Sequence, residues 1–287
     1  MEWERAKNYI LIAFVILNLG LATLLYMEDR RYTLTQERIS NIHAILSANK
    51  INLYTAPLRR FAPMRHLDIS GFYYDIPALL EIFFPYTEVM QVDIADGHYR
   101  FETENNNFGQ LSISNGFISF DNTENLRENR EAEISREEAI SVSQEFISLH
   151  FPDFVMDSVF DAFGGYGWHI TYRQEYRGRI ITSNEIIFIF SDGLDWIDMS
   201  FGRVIGHSAE PRMIFAPDEI LLTFMQRMSH VAMENPIFIS DIDIVYFQEY
   251  QSNYEGSVYP AIPFYRIFVQ DHDMPFLINA YTNVPHF

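Results

Sequence analysis

The segment Ile134-Ser135-Arg136-Glu137-Glu138-Ala139-Ile140 begins the clearest helix of the chain. Ser135 and Glu138 form a capping box, in which the serine hydroxyl accepts a backbone hydrogen bond and the glutamate reaches back to the cap. Helical spacing predicts a buried face made of Ala139, Ile140, Ser143, Phe146 and Ile147. The pattern predicts a helix that ends near His150 and packs one side against another layer of the protein.

Four strand patterns follow this helix, and short turn sequences separate them. The turns are Gly164-Gly165, Arg177-Gly178 and Asp192-Gly193. The predicted strands are Ser158–Phe163, Gly167–Tyr176, Ile180–Phe190 and Trp196–Phe201. A helix followed by an antiparallel meander indicates an α+β unit whose helix covers one face of the sheet.

The same succession returns about eighty residues later, because Phe215–Leu221 aligns with Ile134–Ile140. Pro217 suits the first position of a helix, where its missing N–H is not needed. The predicted strands after this helix are Ile237–Tyr246, Phe264–Val269 and Phe276–Tyr281. The fold class expected is therefore α+β, with repeated units of one helix packed on an antiparallel β-meander, at residues 131–210 and 211–287.

The region of residues 28–130 has weaker patterns and is expected to be a first α+β region. Thr35 is a candidate N-cap for a helix that ends near Ala48. Short strand patterns then extend to Phe120, and Asn115-Gly116 lies between two of them as a two-residue hairpin signal. The charged, apolar-poor stretch from Asp121 to Glu133 is interpreted as an exposed linker.

An uncharged run of nineteen residues, Tyr9–Met27, lies near the start of the chain. As a helix it would be about 28 Å long, close to the ~30 Å hydrocarbon core of a bilayer. Tyr9 and Tyr26 stand at its ends, where amphipathic rings favour the membrane interface. The run predicts a single-pass anchor in the cell membrane, with residues 1–8 cytoplasmic and the body extracytoplasmic.

A cleaved signal peptide is the alternative, with Gly20-Leu21-Ala22 as a small-residue cleavage site. The apolar run continues to Tyr26, where a cleavage region would turn polar, and this favours a retained anchor. Within the run, Asn18 is a candidate for a hydrogen bond to another membrane helix, and a tolerated single amide is equally compatible with the sequence. The residues assigned to the anchor and a possible helix contact are Tyr9, Asn18, Gly20, Thr23 and Tyr26.

The composition excludes several classes of function. The formal net charge is −19, so phosphate backbones would repel the chain and nucleic-acid binding is disfavoured. The chain has no cysteine, which excludes disulfides, thiol chemistry and a lipoprotein signal. Membrane lipid, contacted through the anchor, is the non-protein partner that the sequence predicts.

Several segments together resemble the YycI (WalI) family. The opening Met1-Glu2-Trp3 with Arg5 and Lys7 before the apolar run is similar to the start of these proteins. The other similar segments are Ile134–Ile140, Tyr172–Gly178, Ile186–Phe190 with the turn Ser191-Asp192-Gly193, Phe264–Ile267 and Leu277–Thr282. Asn283 stands where the family would have a turn glycine, and asparagine tolerates the positive φ that such a turn needs.

The resemblance implies a non-enzymatic, membrane-anchored regulator of the WalK/WalR cell-wall two-component system of Gram-positive bacteria. It implies contacts with the sensor histidine kinase and with a sister protein of the YycH type, and it implies no catalytic residues and no cofactor. The helix-plus-meander units also resemble PepSY-like extracytoplasmic modules. The alternative function is therefore a membrane-tethered inhibitor or chaperone of extracytoplasmic peptidases.

Motifs for catalysis or metal binding are sparse. Ser47 and Lys50 match the S-x-x-K motif of penicillin-recognising enzymes. These enzymes also need a K-T-G motif, and no lysine follows Lys50, so the sequence argues against an envelope hydrolase. The nine histidines include no H-E-x-x-H motif. Gly164–Gly167 and Asp271–Asp273 are better explained as hairpin turns than as ligand-binding sites. Asp241 and Asp243 are better explained as solvated positions on the polar face of a strand. No catalytic, cofactor-binding or metal-binding residue is predicted.

Overall fold

Five helices and fifteen strands are found among the described residues of the computed structural model. The described residues are 2–71, 75–85, 87–95, 98–103, 109–114, 117–122, 134–162, 167–191, 193–200, 202–248, 257–272 and 274–286. The helices are α1 (Glu2–Arg31), α2 (Gln36–Ala48), α3 (Ile76–Phe83), α4 (Arg136–His150) and α5 (Pro217–Glu234).

The strands are mainly antiparallel, and three of them are eleven or twelve residues long. They are β1 (Ile51–Leu53), β2 (Leu67–Ser70), β3 (Val89–Ala95), β4 (His98–Thr103), β5 (Gln110–Ser114), β6 (Phe117–Asp121), β7 (Phe154–Asp161), β8 (Trp168–Tyr176), β9 (Arg179–Phe190), β10 (Leu194–Ser200), β11 (Arg203–His207), β12 (Ile237–Phe247), β13 (Val258–Val269), β14 (Phe276–Asn279) and β15 (Pro285–His286). Helices and mainly antiparallel strands confirm the α+β fold class.

The helix starts lie where the capping residues predict them. The backbone N–H of Glu138 donates to Ser135 Oγ at 3.2 Å, at the start of α4. Thr35 caps α2 in the same way through the N–H of Arg38, at 3.3 Å. Pro217 is the first residue of α5, as expected from its fixed φ. These local hydrogen bonds fix the helix boundaries because each one satisfies a backbone donor that the helix leaves free.

The chain divides by its internal contacts into two compact units. Unit 1 comprises Met1–Met64, Pro211–Asp243 and Tyr265–Phe287, whereas unit 2 comprises Arg65–Glu210 and Ile244–Phe264. One boundary falls between Glu210 and Pro211, which is also where the last predicted unit begins. Residues 28–130, by contrast, are shared between the two units. This sharing arises because the chain pairs with distant segments and not only with its neighbours in sequence.

Unit 1 contains α1, α2, α5 and the C-terminal strands. The strand β1 pairs in parallel with β12, with Ile51 opposite Ile237, and α2 packs beside α5. Arg38 of α2 makes two hydrogen bonds to the Asp218 carboxylate at the start of α5, at 2.6 and 2.7 Å. The strands β14 and β15 form the closing hairpin, in which Asn283 has φ +57°. This positive φ confirms that the turn uses the left-handed backbone that asparagine tolerates.

Unit 2 is built on an antiparallel sheet with the strand order β3-β4-β5-β6-β10-β9-β8-β7 among its described residues. The meander β7-β8-β9-β10 follows α4 directly, as predicted. The hairpin β5-β6 is also confirmed, because Ser114 lies opposite Phe117, although the turn Asn115-Gly116 is outside the described residues. A separate set of antiparallel pairs joins β11 to β2 and β2 to β13.

The core of unit 2 lies between this sheet and the helices α3 and α4. Its side chains include Phe83 of α3, Ile147 of α4 and the fully buried Phe188 and Phe190 of β9. The Tyr172 and Ser143 hydroxyls, 3.0 Å apart, hydrogen-bond across the interface between β8 and α4. Burial raises the pKa of Tyr172, and the Ser143 hydrogen bond opposes this rise. The helices thus cover one face of the sheet, and the opposite face bears the surface described below.

Some predicted bounds differ from the observed ones. The strand β7 begins at Phe154, four residues before the predicted start. The strand β13 begins at Val258 and not at Phe264, because Val258–Ala261 pair with β2 even though Pro260 has no N–H to donate. Asp121, the predicted start of the linker, is instead the last residue of β6. The linker residues 123–133 and the predicted turn Gly164-Gly165 lie outside the described residues.

Candidate functional site

The helix α1 is the first candidate site, because it has the properties of a membrane anchor. Its segment Ala6–Met27 is long and apolar enough to cross a bilayer, and none of it is buried against the rest of the described chain. Leu17, Leu19 and Leu24 each expose more than half of their surface. Burying such side chains in a bilayer or against another helix removes a large apolar area from water. Within the described residues, no other segment of the chain covers this helix.

The five residues assigned to the anchor do not share one face of α1. At about 100° per residue, Tyr9 lies within about 20° of Gly20 around the helix axis, and Thr23 lies about 60° away. Asn18 lies about 160° from Gly20, and Tyr26 lies about 120° away, so neither belongs to this face. The helix thus has two distinct faces. The Gly20 face has no side chain at its centre, and a Cβ added at Gly20 would meet no atom within 4 Å. The Asn18 face carries the amide side chain of Asn18.

The polar side chains of α1 also bond within their own helix. Asn18 Nδ2 donates to Phe14 O at 2.7 Å, and Thr23 Oγ1 donates to Leu19 O at 2.8 Å. These bonds lower the cost of placing the two side chains in lipid. Asn18 retains its amide oxygen and one N–H, because an amide side chain has two donor hydrogens and one acceptor oxygen. The Asn18 face is thus able to bond a second membrane helix.

A second candidate surface lies on the face of the unit 2 sheet opposite α3 and α4. Phe160, His169, Ile189 and Trp196 stand directly opposite one another on β7, β8, β9 and β10, and we name them the aromatic row. The Phe160 and His169 rings are stacked, with centroids 4.2 Å apart. Phe160 is 41% exposed and Trp196 is 37% exposed. The row extends over about 14 Å, because it crosses three strand spacings of about 4.8 Å.

Hydrogen bonds and charge position the aromatic row. Trp196 Nε1 donates to Ser119 Oγ at 2.6 Å and to Asp198 Oδ1 at 2.7 Å, which holds the indole on the sheet. Burial lowers the pKa of His169, and the negative charge of Asp198 opposes this shift. His169 is therefore neutral at pH 7 and adds an uncharged ring to the row. A rigid, half-exposed aromatic surface of this kind is typical of protein contact sites.

The residues considered for chemistry are placed apart from one another. Ser47 and Lys50 are both exposed at the end of α2. Asp243 pairs with Arg266 through two hydrogen bonds of 3.0 and 2.7 Å, which is a structural ion pair. Asp271 and His272 lie in the turn after β13, and residue 273 is outside the described residues. Within the described residues, no group of three or more histidine, aspartate or glutamate side chains could hold a metal ion.

The sequence predicted the membrane-length helix α1 but not the aromatic row. Each of its residues has an ordinary strand pattern, and only the register between strands brings the four together. The exposed positions Trp196 and Phe160 were the available signal, since large aromatic side chains on the outer face of a strand are uncommon.

Comparison with known proteins supports the fold and does not identify a family. No family model matches the chain, and no curated protein matches it. The fold is similar to that of an uncharacterized protein from Eubacterium rectale ATCC 33656, with a TM-score of 0.55, 11% sequence identity and coverage of 83% of this chain and 91% of that one. The C-terminal domain of YpeB from Bacillus megaterium matches with a TM-score of 0.46, 10% identity and coverage of 76% and 97%.

The class of protein that these features define is an α+β body that carries one membrane-length N-terminal helix. The similarity to the Eubacterium rectale protein concerns the fold alone, at 11% identity. The resemblance to YycI proteins and to PepSY-like modules stays a prediction from the sequence segments.

Proposed function

We propose that this chain is a non-enzymatic, membrane-anchored regulatory protein that modulates a sensor histidine kinase of a cell-wall two-component system. The observation that carries the proposal is α1, whose apolar segment Ala6–Met27 is fully exposed and continues directly into the folded body. The resemblance to YycI proteins supports the choice of a WalK-type kinase and a YycH-type sister protein as partners. The N-terminus would be cytoplasmic and the body extracytoplasmic.

Membrane anchoring supplies the physical basis for regulation by weak contacts. Two proteins confined to one bilayer have a high effective concentration for each other, so contacts that are weak in solution become populated. A regulator that contacts one signalling state of the kinase better than the other shifts the balance between them by its difference in affinity. The Gly20 face and the Asn18 face of α1 offer two helix contacts, and the aromatic row offers a contact for the body.

Replacing Tyr9–Met27 by an unrelated apolar helix of the same length should abolish the regulation while the chain stays in the membrane. The reason is that a new sequence retains hydrophobic length but loses the faces at Gly20 and Asn18. Kinase output, measured as phosphorylation of the response regulator, should shift to the level of cells that lack this protein.

The matched control for this exchange keeps the native helix and replaces only Ile12 by leucine and Leu19 by isoleucine. These two positions lie about 80–100° from Gly20 and about 100–120° from Asn18 around the helix axis, so hydropathy and both contact faces are preserved. Its kinase output should equal that of the wild type. Unchanged output after the full exchange, at equal membrane levels of the protein, would rule out coupling through the helix.

Replacing Phe160 and Trp196 by serine should weaken the contact of the body with its protein partner about thirty-fold or more for each residue replaced. Interface aromatic residues of this kind often contribute about 2 kcal/mol or more each when truncated. The measurement is site-specific cross-linking of the chain to the kinase or to the sister protein in native membranes.

Serine at Val142 and Leu149 is the matched control for the aromatic row. Both side chains are apolar and exposed, but they lie on α4 and not on the aromatic row. Cross-linking should persist in this control. Equal loss of cross-linking in both pairs of variants would contradict a specific role for the aromatic row.

A further inference from the structure

The end of α1 lies beside a distant segment that brings two more arginines to it. Leu34 N donates to Arg59 O at 2.8 Å, and Phe61 N donates to Tyr32 O at 3.0 Å, so residues 32–34 and 59–61 run antiparallel. Thr33 forms the bridge with Arg60. Arg30 and Arg31 are the last two residues of α1, and Arg60 and Arg59 lie opposite Thr33 and Leu34, two and three residues further along the chain. We name these four arginines the arginine collar.

The arginine collar is exposed and partly ordered by aromatic rings. All four of its residues are exposed. The guanidinium of Arg30 lies 5.1 Å from the centre of the Tyr26 ring, and that of Arg31 lies 5.8 Å from the centre of the Tyr32 ring. Such contacts hold arginine side chains by cation–π attraction. The collar is thus a preformed basic surface on a chain whose net charge is −19.

Acidic residues close to the collar reduce its charge but do not reverse it. The sequence places Glu28 and Asp29 just before Arg30, and Glu37 in the first turn of α2. Four arginines against these three acidic residues give the seven residues together a formal charge of +1. Elsewhere in the chain acidic residues outnumber basic ones, so the collar concentrates positive charge where the helix enters the body.

The position of the collar along α1 corresponds to the headgroup layer of a bilayer. Arg31 is four residues beyond Met27, the end of the membrane-length segment, which is about 6 Å along the helix axis. The headgroup layer on each side of the hydrocarbon core is roughly 5–7 Å thick. The antiparallel pairing places the backbone of Arg60 next to Thr33, and an arginine side chain is long enough to return to this layer.

We propose that the arginine collar binds the phosphate groups of anionic membrane lipids. A guanidinium group presents planar pairs of N–H donors that match phosphate oxygens, and it stays charged at every physiological pH. Arg30 and Arg31 flank the anchor as in many membrane proteins, whereas Arg59 and Arg60 are present only because of the fold. The collar orients the body against the lipid surface, and this inference rests on α1 crossing the membrane, as in the proposed function.

The test is native mass spectrometry of the full chain in detergent, with equal amounts of phosphatidylglycerol and phosphatidylcholine added. The wild type should retain phosphatidylglycerol preferentially. In the variant with Arg59→Gln and Arg60→Gln, the ratio of bound phosphatidylglycerol to bound phosphatidylcholine should fall roughly five-fold for each arginine replaced. Arg59→Lys with Arg60→Lys should retain more of the preference than the glutamine variant, because the charges remain.

Arg177→Gln with Arg203→Gln is the matched control, since both arginines are exposed and lie in unit 2. Its lipid preference should equal that of the wild type. Equal retention of both lipids by the wild type, or full preference in the glutamine variant of Arg59 and Arg60, would overturn the collar as a lipid site. Kinase output measured on the same variants tests the proposed function separately. If the wild-type chain binds phosphatidylglycerol but does not affect the kinase, the proposed regulatory function is overturned and the lipid site is not.

Discussion

Aspartate at both Val15 and Leu17 should move the chain out of the membrane fraction. Both side chains lie near the middle of the apolar segment Ala6–Met27, and both are exposed along α1. A charged residue at the centre of a membrane helix costs roughly 3 kcal/mol on insertion scales, and each lost apolar residue removes about 0.5 kcal/mol more. The expected change is therefore about 7 kcal/mol in favour of the non-inserted chain. Carbonate extraction of membranes, followed by detection of the chain in pellet and supernatant, measures it.

The control variant has Val15→Leu and Leu17→Ile, which keep the hydropathy of the segment. Its distribution should match the wild type, with the chain in the pellet. If the aspartate variant stayed in the pellet, the body itself would have to bind membranes and α1 would not be the anchor. A wild-type chain recovered in the medium without its first residues would instead identify α1 as a cleaved signal peptide.

Local signals in the sequence predicted four of the five described helices and most of the strands of this fold, whereas the short helix α3 lies where only strand patterns were expected. The cap residues Ser135 and Thr35 and the helical Pro217 act through bonds or dihedral angles within a few residues, so no knowledge of the rest of the fold was needed. The meander after α4 follows from alternating residues and turn dipeptides in the same way. The helix α1 could be predicted equally well from its apolar run. The length of that run is judged against the thickness of a bilayer, and this needs no knowledge of the rest of the fold.

The aromatic row could not be predicted because an irregularity in β9 changes the register. Counting outward from the turn at Arg177-Gly178 would place His169 opposite Ile186, a core residue. The observed partner is Ile189, since the pairing shifts by three residues between Gln174 and Arg173. A shift by an odd number exchanges the two faces of a strand. The shift accommodates Asn184, which is buried and bonds both backbone groups of Gly202.

The arginine collar was hidden for a different reason. Arg59 and Arg60 lie in an irregular stretch between prolines, and nothing local indicates that this stretch pairs with residues 32–34. The parallel pairing of β1 with β12 joins segments more than 180 residues apart in the chain. Such pairings depend on which buried surfaces fit together, and patterns within a single segment do not encode that fit.

Replacing Asp243 by alanine should lower the free energy needed to open β12 and β13 by about 2 kcal/mol. The Arg266 side chain is 3% exposed, and Asp243 supplies both of the hydrogen bonds that join the pair. Removing one partner of a fully buried ion pair costs about 3–5 kcal/mol, because the other charge stays buried without compensation. The Asp243 side chain is 35% exposed, so water can partly replace it and the cost is lower.

Hydrogen–deuterium exchange of peptides within Ile237–Asp243 and Tyr265–Val269, the parts of β12 and β13 that belong to unit 1, measures this change in unit 1. A 2 kcal/mol loss corresponds to roughly thirty-fold faster exchange of amides that open with these strands. Glu175→Ala is the control, because Glu175 is an exposed acidic strand residue of unit 2, and its effect on these peptides should be negligible. Exchange in the Asp243→Ala variant at the wild-type rate would show that the ion pair does not hold the two strands together.

A double replacement separates the contribution of the ion pair from the cost of removing only the acidic partner of Arg266. Asp243→Leu combined with Arg266→Met replaces both charges by apolar side chains, and such exchanges of buried pairs are often neutral. Exchange in this variant should therefore return close to the wild-type rate, although Asp243→Ala alone accelerates it. That outcome would mean that the pair contributes little net stability and that its role is to fix which residues of β12 and β13 lie opposite each other. Continued fast exchange in the double variant would instead show that the Asp243–Arg266 bonds themselves stabilise the strands.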